Sequence, residues 1–182
     1  MEIFAVYWEP VIKTYGIVER TGLCLVSLQL TPERIPDIAL CLTHRAAEWG
    51  ASPILVFVRP VSGNAMRLHL LLDRPLTIRD FMALDGSGDA WLSGMRIDDA
   101  VELVSLQGPH YGDRYGILSA AIKALADHGT PLLALSCAAA SISLIFPQGY
   151  AGAAVKALET AFAAAQPSEQ PKASSDINTG YK

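Results

Sequence analysis

A five-residue segment that occurs twice constrains the fold of this 182-residue chain more than any other feature of its sequence. The segment Leu25–Gln29 reads LVSLQ, and it recurs about 80 positions later as Leu103–Gln107. Each copy is followed by a polar or Pro/Gly-rich loop, then by a helical pattern, then by a turn that contains Gly50 or Gly129. Because the repeat keeps its phase through a whole supersecondary unit, we expect two copies of one small fold.

The first copy is predicted to be a β-α-β-β-α-β unit, the ferredoxin-like arrangement of an α+β fold. Residues 23–30 and 36–49 have the patterns of a strand and of an amphipathic helix. Residues 54–58 and 66–72 then form a hairpin, and Pro75 starts a second helix. A fourth strand is expected at residues 90–97.

The second copy is predicted to be β-α-β-β-α, which leaves it one strand short. The strands are expected at residues 101–107, 132–136 and 141–146, and the helices at residues 117–128 and 150–165. The tail, residues 166–182, is rich in Ser, Pro, Gln and Lys and is expected to be disordered.

Residues 11–18 contain the β-formers that the second unit lacks, so we expect the N-terminal strand to complete it. The domains are then residues 20–98 for the first unit and residues 11–19 plus 99–165 for the second. The competing layout is a local hairpin in which residues 11–18 pair with residues 23–30 across Arg20, Thr21 and Gly22.

The composition of the chain argues against several classes of function. The chain is 51% hydrophobic and 18% charged, which is enough to bury a core, and no run of about 18 apolar residues indicates a membrane span. Its net charge is −4 and it has no basic block, so nucleic-acid binding is not expected. The N-terminus has no secretion signal pattern, and a cytoplasmic location is expected. The three cysteines and four histidines lack metal-site spacing, so we expect no metal.

Several segments resemble the ACT domains of aspartate kinases. The loop glycines Gly108 and Gly116 with Ile117 match the family loop that follows the first strand of a unit, although Tyr115 replaces its usual proline. Ser136, Ile142 and Ser143 match the motif around the second and third strands. Residues 154–158 with Phe162 are similar to the last helix of the family, and residues 11–17 to the segment that leads into the regulatory part.

The resemblance implies a tandem pair of ACT units that binds a small effector, and it also shows departures. Ala138 stands where the second family repeat starts a Ser-Glu pair, and Arg59 stands where the first repeat has a ligand-contacting amide. Neither lysine nor threonine is therefore assumed as the effector. The kinase catalytic domain and a Gly-rich phosphate loop with a lysine are missing from the sequence, so no enzymatic activity and no cofactor are expected.

The loop after the second repeat is the first candidate ligand site. Backbone N–H groups at the start of a helix suit a carboxylate, Asp113 suits an ammonium group, and Tyr111 or Tyr115 is placed to cover the ligand. The alternative is that the glycines only serve turn geometry and that Asp113 caps the helix. The candidate residues of this loop are Tyr111, Gly112, Asp113, Arg114, Tyr115, Gly116 and Ile117.

Two further candidates lie outside that loop. A guanidinium at Arg59 suits a carboxylate, although an exposed charge that protects an edge strand explains it equally well. Ser136 is implied by the family motif.

The leading hypothesis is a non-catalytic regulatory protein that binds a small molecule, an amino acid, and acts on an enzyme of amino-acid metabolism. The alternative is a structural dimerisation module, or a regulatory subunit whose ligand site has decayed. An enzyme on a ferredoxin-like scaffold is the third hypothesis, because fold does not fix function.

We expect a homodimer or a larger assembly, because strands as apolar as residues 23–30 are unfavourable at an exposed sheet edge. Sedimentation velocity at micromolar concentration then gives a mass above that of the 19.5 kDa chain. A single monomeric species would contradict the expectation.

Overall fold

Two long antiparallel strands form the centre of the protein. The computed structural model describes residues 12–77, 94–109, 111, 116–138 and 140–164. The elements in chain order are β1 (Ile12–Thr14), β2 (Gly16–Leu30), a 3-10 turn (Pro32–Arg34), α1 (Ile35–Trp49), β3 (Pro53–Pro60), β4 (Met66–Leu72), β5 (Arg96–Gln107), α2 (Ile117–Asp127), β6 (Ala134–Ala138), β7 (Ser141–Pro147), α3 (Ala151–Glu159) and β8 (Phe162–Ala164).

Six strands form one sheet in the order β3-β4-β2-β5-β7-β6. The C-terminal part of β2 pairs with β4 and with the start of β5, and this half of the sheet is completed by β3. The N-terminal part of β2, Gly16 to Arg20, pairs with Gln107 to Leu103 of β5, and this half continues through β7 and β6. Each half therefore has the strand order of a ferredoxin-like unit, as the sequence predicted.

The pairing predicted for the N-terminal strand is confirmed. Gly16 lies opposite Gln107 and Val18 opposite Ser105, so this segment pairs with strands of the second repeat. The hairpin alternative is wrong for a local reason. Gly22 has φ +70°, and a register shift between Arg20 and Leu23 makes this segment a bulge instead of a reversal, so the strand continues.

A separate two-stranded sheet attaches the chain start to its end. β1 pairs in parallel with β8, and Ile12 lies opposite Phe162. Thr14 is fully buried at the end of β1, where its hydroxyl donates to the carbonyl of Gln107 and accepts the N–H of Gly16. These contacts hold the turn between β1 and β2 against the end of β5.

The last helix is shorter than predicted. It ends at Glu159, where the N–H groups of Thr160 and Ala161 bond to carbonyls three residues earlier, and residues 162–164 are a strand. Phe162 is buried, as a helical pattern also required, but it enters the core from a strand because β1 offers it a backbone partner.

Three other predicted boundaries shift. β2 joins the strands predicted at residues 11–18 and 23–30 from Gly16 onward, β5 joins the end of the strand predicted at residues 90–97 to the one at residues 101–107, and β6 begins at Ala134. The proposed domain boundaries at residues 19–20 and 98–99 therefore lie inside β2 and β5. The predicted second helix of the first unit beyond Thr77, the tail predicted to be disordered and most of the strand predicted at residues 90–97 lie outside the described residues.

Side chains from both faces of the six-stranded sheet are buried. Two clusters lie on the helix-covered face: one packs β5 and β7 against α2 and α3, and the other packs β2 and β4 against α1. A third cluster lies on the opposite face, because its residues alternate along β2 and β5 with those of the first two. Its buried members are Leu23, Leu25, Leu71, Val101, Leu103 and Ile145. This third cluster links the two halves of the sheet.

A carboxylate on β5 caps the helix α3. Glu102 is buried, and its Oε2 accepts the N–H of Ala151 at 2.7 Å. A negative charge at the first turn of a helix is stabilised by the free N–H groups and by the helix dipole. Glu102 therefore fixes α3 to the sheet at the helix end where an orphaned donor is most costly.

We expect Glu102→Ala to lower the free energy of unfolding by about 1–3 kcal/mol, because it leaves the Ala151 N–H buried without this acceptor. Urea unfolding followed by circular dichroism measures the change. The control is Glu159→Ala, which removes an exposed carboxylate at the other end of the same helix and should change stability little. Equal losses in the two variants would contradict a capping role.

Candidate ligand site in the loop between β5 and α2

The loop between β5 and α2 begins at a glycine that is buried against its neighbours. The N–H of Gly108 donates to the carbonyl of Ala140 at 3.0 Å, which ties the loop to the link between β6 and β7. At its far end, Gly116 has φ +88° and is the N-cap of α2, and Ile117 is buried in the core below. Gly112, Asp113, Arg114 and Tyr115 lie outside the described residues.

Tyr111 is a core residue of this loop, with 2% of its surface exposed. Its ring meets the Phe162 ring edge to face, with centroids 6.3 Å apart. Its hydroxyl lies 3.5 Å from the carbonyl oxygen of Lys13 in β1. The aromatic side chain that the sequence placed as a cover for a ligand thus packs between the loop and the β1–β8 sheet.

The ring of Tyr111 also lies directly over Gly108. A Cβ built at position 108 would be 2.1 Å from Cε1 of Tyr111 and 2.5 Å from its hydroxyl oxygen. Non-bonded atoms do not approach each other so closely, so only glycine fits at position 108 while the Tyr111 ring stays in place. Packing therefore explains why glycine occupies position 108, one of the positions that match the family loop.

The start of α2 has the chemistry of a carboxylate receptor. Gly116 provides no side-chain cap, and its carbonyl accepts the N–H of Ala120 at 2.8 Å. The N–H groups of the first turn precede the first intrahelical bonds and carry the positive end of the helix dipole. Gly116 itself is exposed.

Ser136 does not face this loop. It lies on β6, opposite Ser143, which in turn lies opposite Ser105. These three half-buried serines form a row on the helix-free face, whereas Tyr111 and Ile117 belong to the core under the helices. Ser136 is thus on the other side of the sheet from the loop.

Arg59 is far from the loop as well. It lies on β3 opposite Arg67, which lies opposite Gln29 near the end of β2, whereas the loop follows the β5 residue that lies opposite Gly16. Since a strand rises about 3.3 Å per residue, Gly16 and Gln29 of β2 are separated by roughly 43 Å. Arg59 and the loop therefore cannot hold one small ligand within a single chain.

The structure adds a histidine that the sequence reading did not select. His69 lies between Ser27 and Phe57 in the sheet, with Nδ1 2.9 Å from Ser27 Oγ and its ring stacked on Phe57 at 4.7 Å. Burial lowers the pKa of His69, and the charges of Arg59 and Arg67 lower it further. The ring is thus held in its neutral form next to Arg59. These residues are far apart in sequence, and only the pairing of β4 with β2 and β3 brings them together.

The described part of the chain contains neither a metal-binding group nor a membrane-spanning helix. No group of three His, Cys, Asp or Glu side chains there is placed to hold a metal ion. No helix there has the length and apolar character needed to cross a membrane.

We expect Gly108→Ala to lower the free energy of unfolding by about 1–3 kcal/mol, because the added methyl group overlaps the Tyr111 ring. Chemical unfolding of Gly108→Ala, Tyr111→Ala and the double variant measures the coupling. In the Tyr111→Ala background the penalty at position 108 should largely vanish. Additive losses would show that the two residues do not interact.

Comparisons with known proteins concern the fold that carries this loop. Residues 96–160 match the family model of the ACT domain. A search of curated protein sequences found no match.

Three solved structures show the extent of the shared fold. The ligand-free regulatory subunit of aspartate kinase from Thermus thermophilus aligns with a TM-score of 0.67 at 19% identity, over 82% of this chain and 99% of that one. The subunit from Thermus flavus has a TM-score of 0.67 and 19% identity, over 81% and 97%. Aspartate kinase from Synechocystis has a TM-score of 0.68 and 19% identity, over 85% of this chain and 27% of that one. The resemblance to ACT domains is therefore confirmed, by the family model for residues 96–160 and by a fold shared with aspartate kinase regulatory subunits for most of the chain.

Proposed function

We propose that this protein is a non-catalytic regulatory protein that binds an amino acid in the loop between β5 and α2. The observation that carries the proposal is the start of α2, where the N-cap residue Gly116 is exposed and has no side chain to cap the first-turn N–H groups. The segment that contains it is also the one that matches the ACT domain.

The chemistry of the loop suits the two charges of an amino acid. The first-turn N–H groups bind the carboxylate, and the side chain of Asp113 binds the ammonium group. The proposed site also includes Gly112, Arg114 and Tyr115, which the sequence assigns to the same loop. Tyr111 and Ile117 support the loop from the core and do not touch the ligand.

The loop is connected to the rest of the sheet in a way that suits regulation. Gly108 is bonded to Ala140, and Tyr111 reaches the backbone of β1. A ligand bound at the loop therefore favours one arrangement of β1, the β6–β7 link and α2 over others, and a partner that contacts them senses the difference.

The wider setting of this function is part of the proposal. The chain acts as two ACT units, residues 20–98 and residues 11–19 with 99–165, in a homodimer or larger assembly in the cytoplasm. Its partner is an enzyme of amino-acid metabolism, which supplies the catalysis that this chain lacks.

A structural dimerisation module is the second candidate, and one observation favours it. The Tyr111 ring fills the space over Gly108. A ligand site that has decayed would be filled in this way.

Thermal unfolding with each of the twenty amino acids tests the proposal. We expect one of them to raise the melting temperature in a saturable way, because a ligand at 100 times its Kd adds about 2.7 kcal/mol of stability. Asp113→Ala should weaken binding by about tenfold or more, since it removes a charge-assisted contact.

The control variant is Asp127→Ala, which removes the same charge from the exposed far end of α2 and should bind as the wild type does. A melting temperature that none of the amino acids changes at millimolar concentration would support the structural module instead.

A further inference from the structure

The two halves of the sheet differ most at equivalent positions on the helix-free face. In the second half, Ser105 lies opposite Ser143, and Ser143 opposite Ser136. The repeat makes Ser27 the equivalent of Ser105, and its row in the first half continues with His69 and Phe57. Three small hydroxyl side chains in one half thus correspond to a serine, a histidine and an aromatic ring in the other.

The next row on this face differs even more. In the second half it consists of Gln107, Ser141 and Ala138. In the first half the equivalent residues are Gln29, Arg67 and Arg59. The repeat therefore conserves the glutamine and replaces two small side chains by two arginines.

The two arginines face each other with no acidic partner among the described residues. Directly opposed residues of an antiparallel pair have Cβ atoms about 5 Å apart, and like charges in such a pair are destabilising. Neither Arg59 nor Arg67 forms an ion pair among the residues that the structure describes, and the one hydrogen bond of Arg67 is to the neutral side chain of Gln29 at 3.2 Å. Arg96, which lies opposite Ser27 in the same row, differs because its ion pair with Asp98, at 2.9 Å, neutralises its charge.

The side chains of these two rows are partly or fully exposed to solvent. Arg59 and Gln29 are exposed, and Arg67, His69 and Phe57 are half-buried, so a small ligand can reach the row from solvent. The chain as a whole is acidic, with a net charge of −4. An uncompensated pair of positive charges on one sheet face is therefore a local feature and does not reflect the general charge of the surface.

We propose that Arg59, Arg67 and the neighbouring His69–Ser27 pair form a binding site for a small ligand that carries a phosphate group. The two guanidinium groups supply parallel N–H donors, whose fork geometry matches the oxygens of a phosphate, and Ser27 and Gln29 border them with neutral polar groups. The ligand supplies the negative charge that the opposed arginines lack.

This site is distinct from the loop between β5 and α2. It lies on the other half of the sheet and at the opposite end of β2, so either site can bind its ligand whether or not the other one does. A failure to bind amino acids at the loop would leave this inference intact.

Binding of inorganic phosphate, measured through the His69 imidazole by nuclear magnetic resonance, tests the site. A bound dianion favours the protonated ring, so we expect phosphate to raise the pKa of His69 from its lowered value, in a saturable way. Sodium chloride at equal ionic strength is the reference, and the His69→Gln variant assigns the resonance.

Arg59→Gln and Arg67→Gln should each weaken phosphate binding by about tenfold or more, because each removes a charge-assisted contact. Arg20→Gln is the control, since it removes the same charge from an exposed position in the other half of the sheet. A response to chloride equal to that to phosphate, or unchanged phosphate binding in both arginine variants, would overturn the proposal.

Discussion

The antiparallel pairing of β2 with β5 is the contact on which the rest of this structure depends. Each strand is long enough to serve both halves of the sheet, so neither half is complete without the other. Bulges along this pair change the twist where one half passes into the next. The third apolar cluster lies across the same junction, and burying it stabilises the two halves together.

Much of this arrangement was predictable because repeats and turn residues leave local signals. The LVSLQ repeat gave two equivalent units, and counting strands identified the N-terminal segment as the missing one. What periodicity could not resolve was the last segment: Phe162 fits the apolar stripe of a helix as well as a strand. The choice depended on whether a backbone partner was available, and β1 is remote in sequence.

The candidate sites were predictable to different degrees. The loop glycines pointed to Gly108 and Gly116 correctly as special positions, but the close contact between Gly108 and the Tyr111 ring is a three-dimensional fact. The sequence offered Arg59 alone, because Arg67 and His69 become its neighbours only through the pairing of β3 with β4. A sequence pattern identifies individual residues, whereas the strand register determines which of their side chains lie on the same face of the sheet.

The long β2–β5 pair also affects how the chain folds during synthesis. The paired residues are about 70 to 90 positions apart in sequence, so closing the loop between them carries a large entropic cost. Folding is therefore expected to be slow. At a translation rate of about 5–20 residues per second, roughly 4 to 18 s pass between the synthesis of β2 and that of β5. Throughout that interval the β5-facing edge of β2, with its apolar Leu23–Val26 segment, has no partner from its own sheet. During synthesis this edge is therefore a template on which other unpaired strands can associate until β5 emerges.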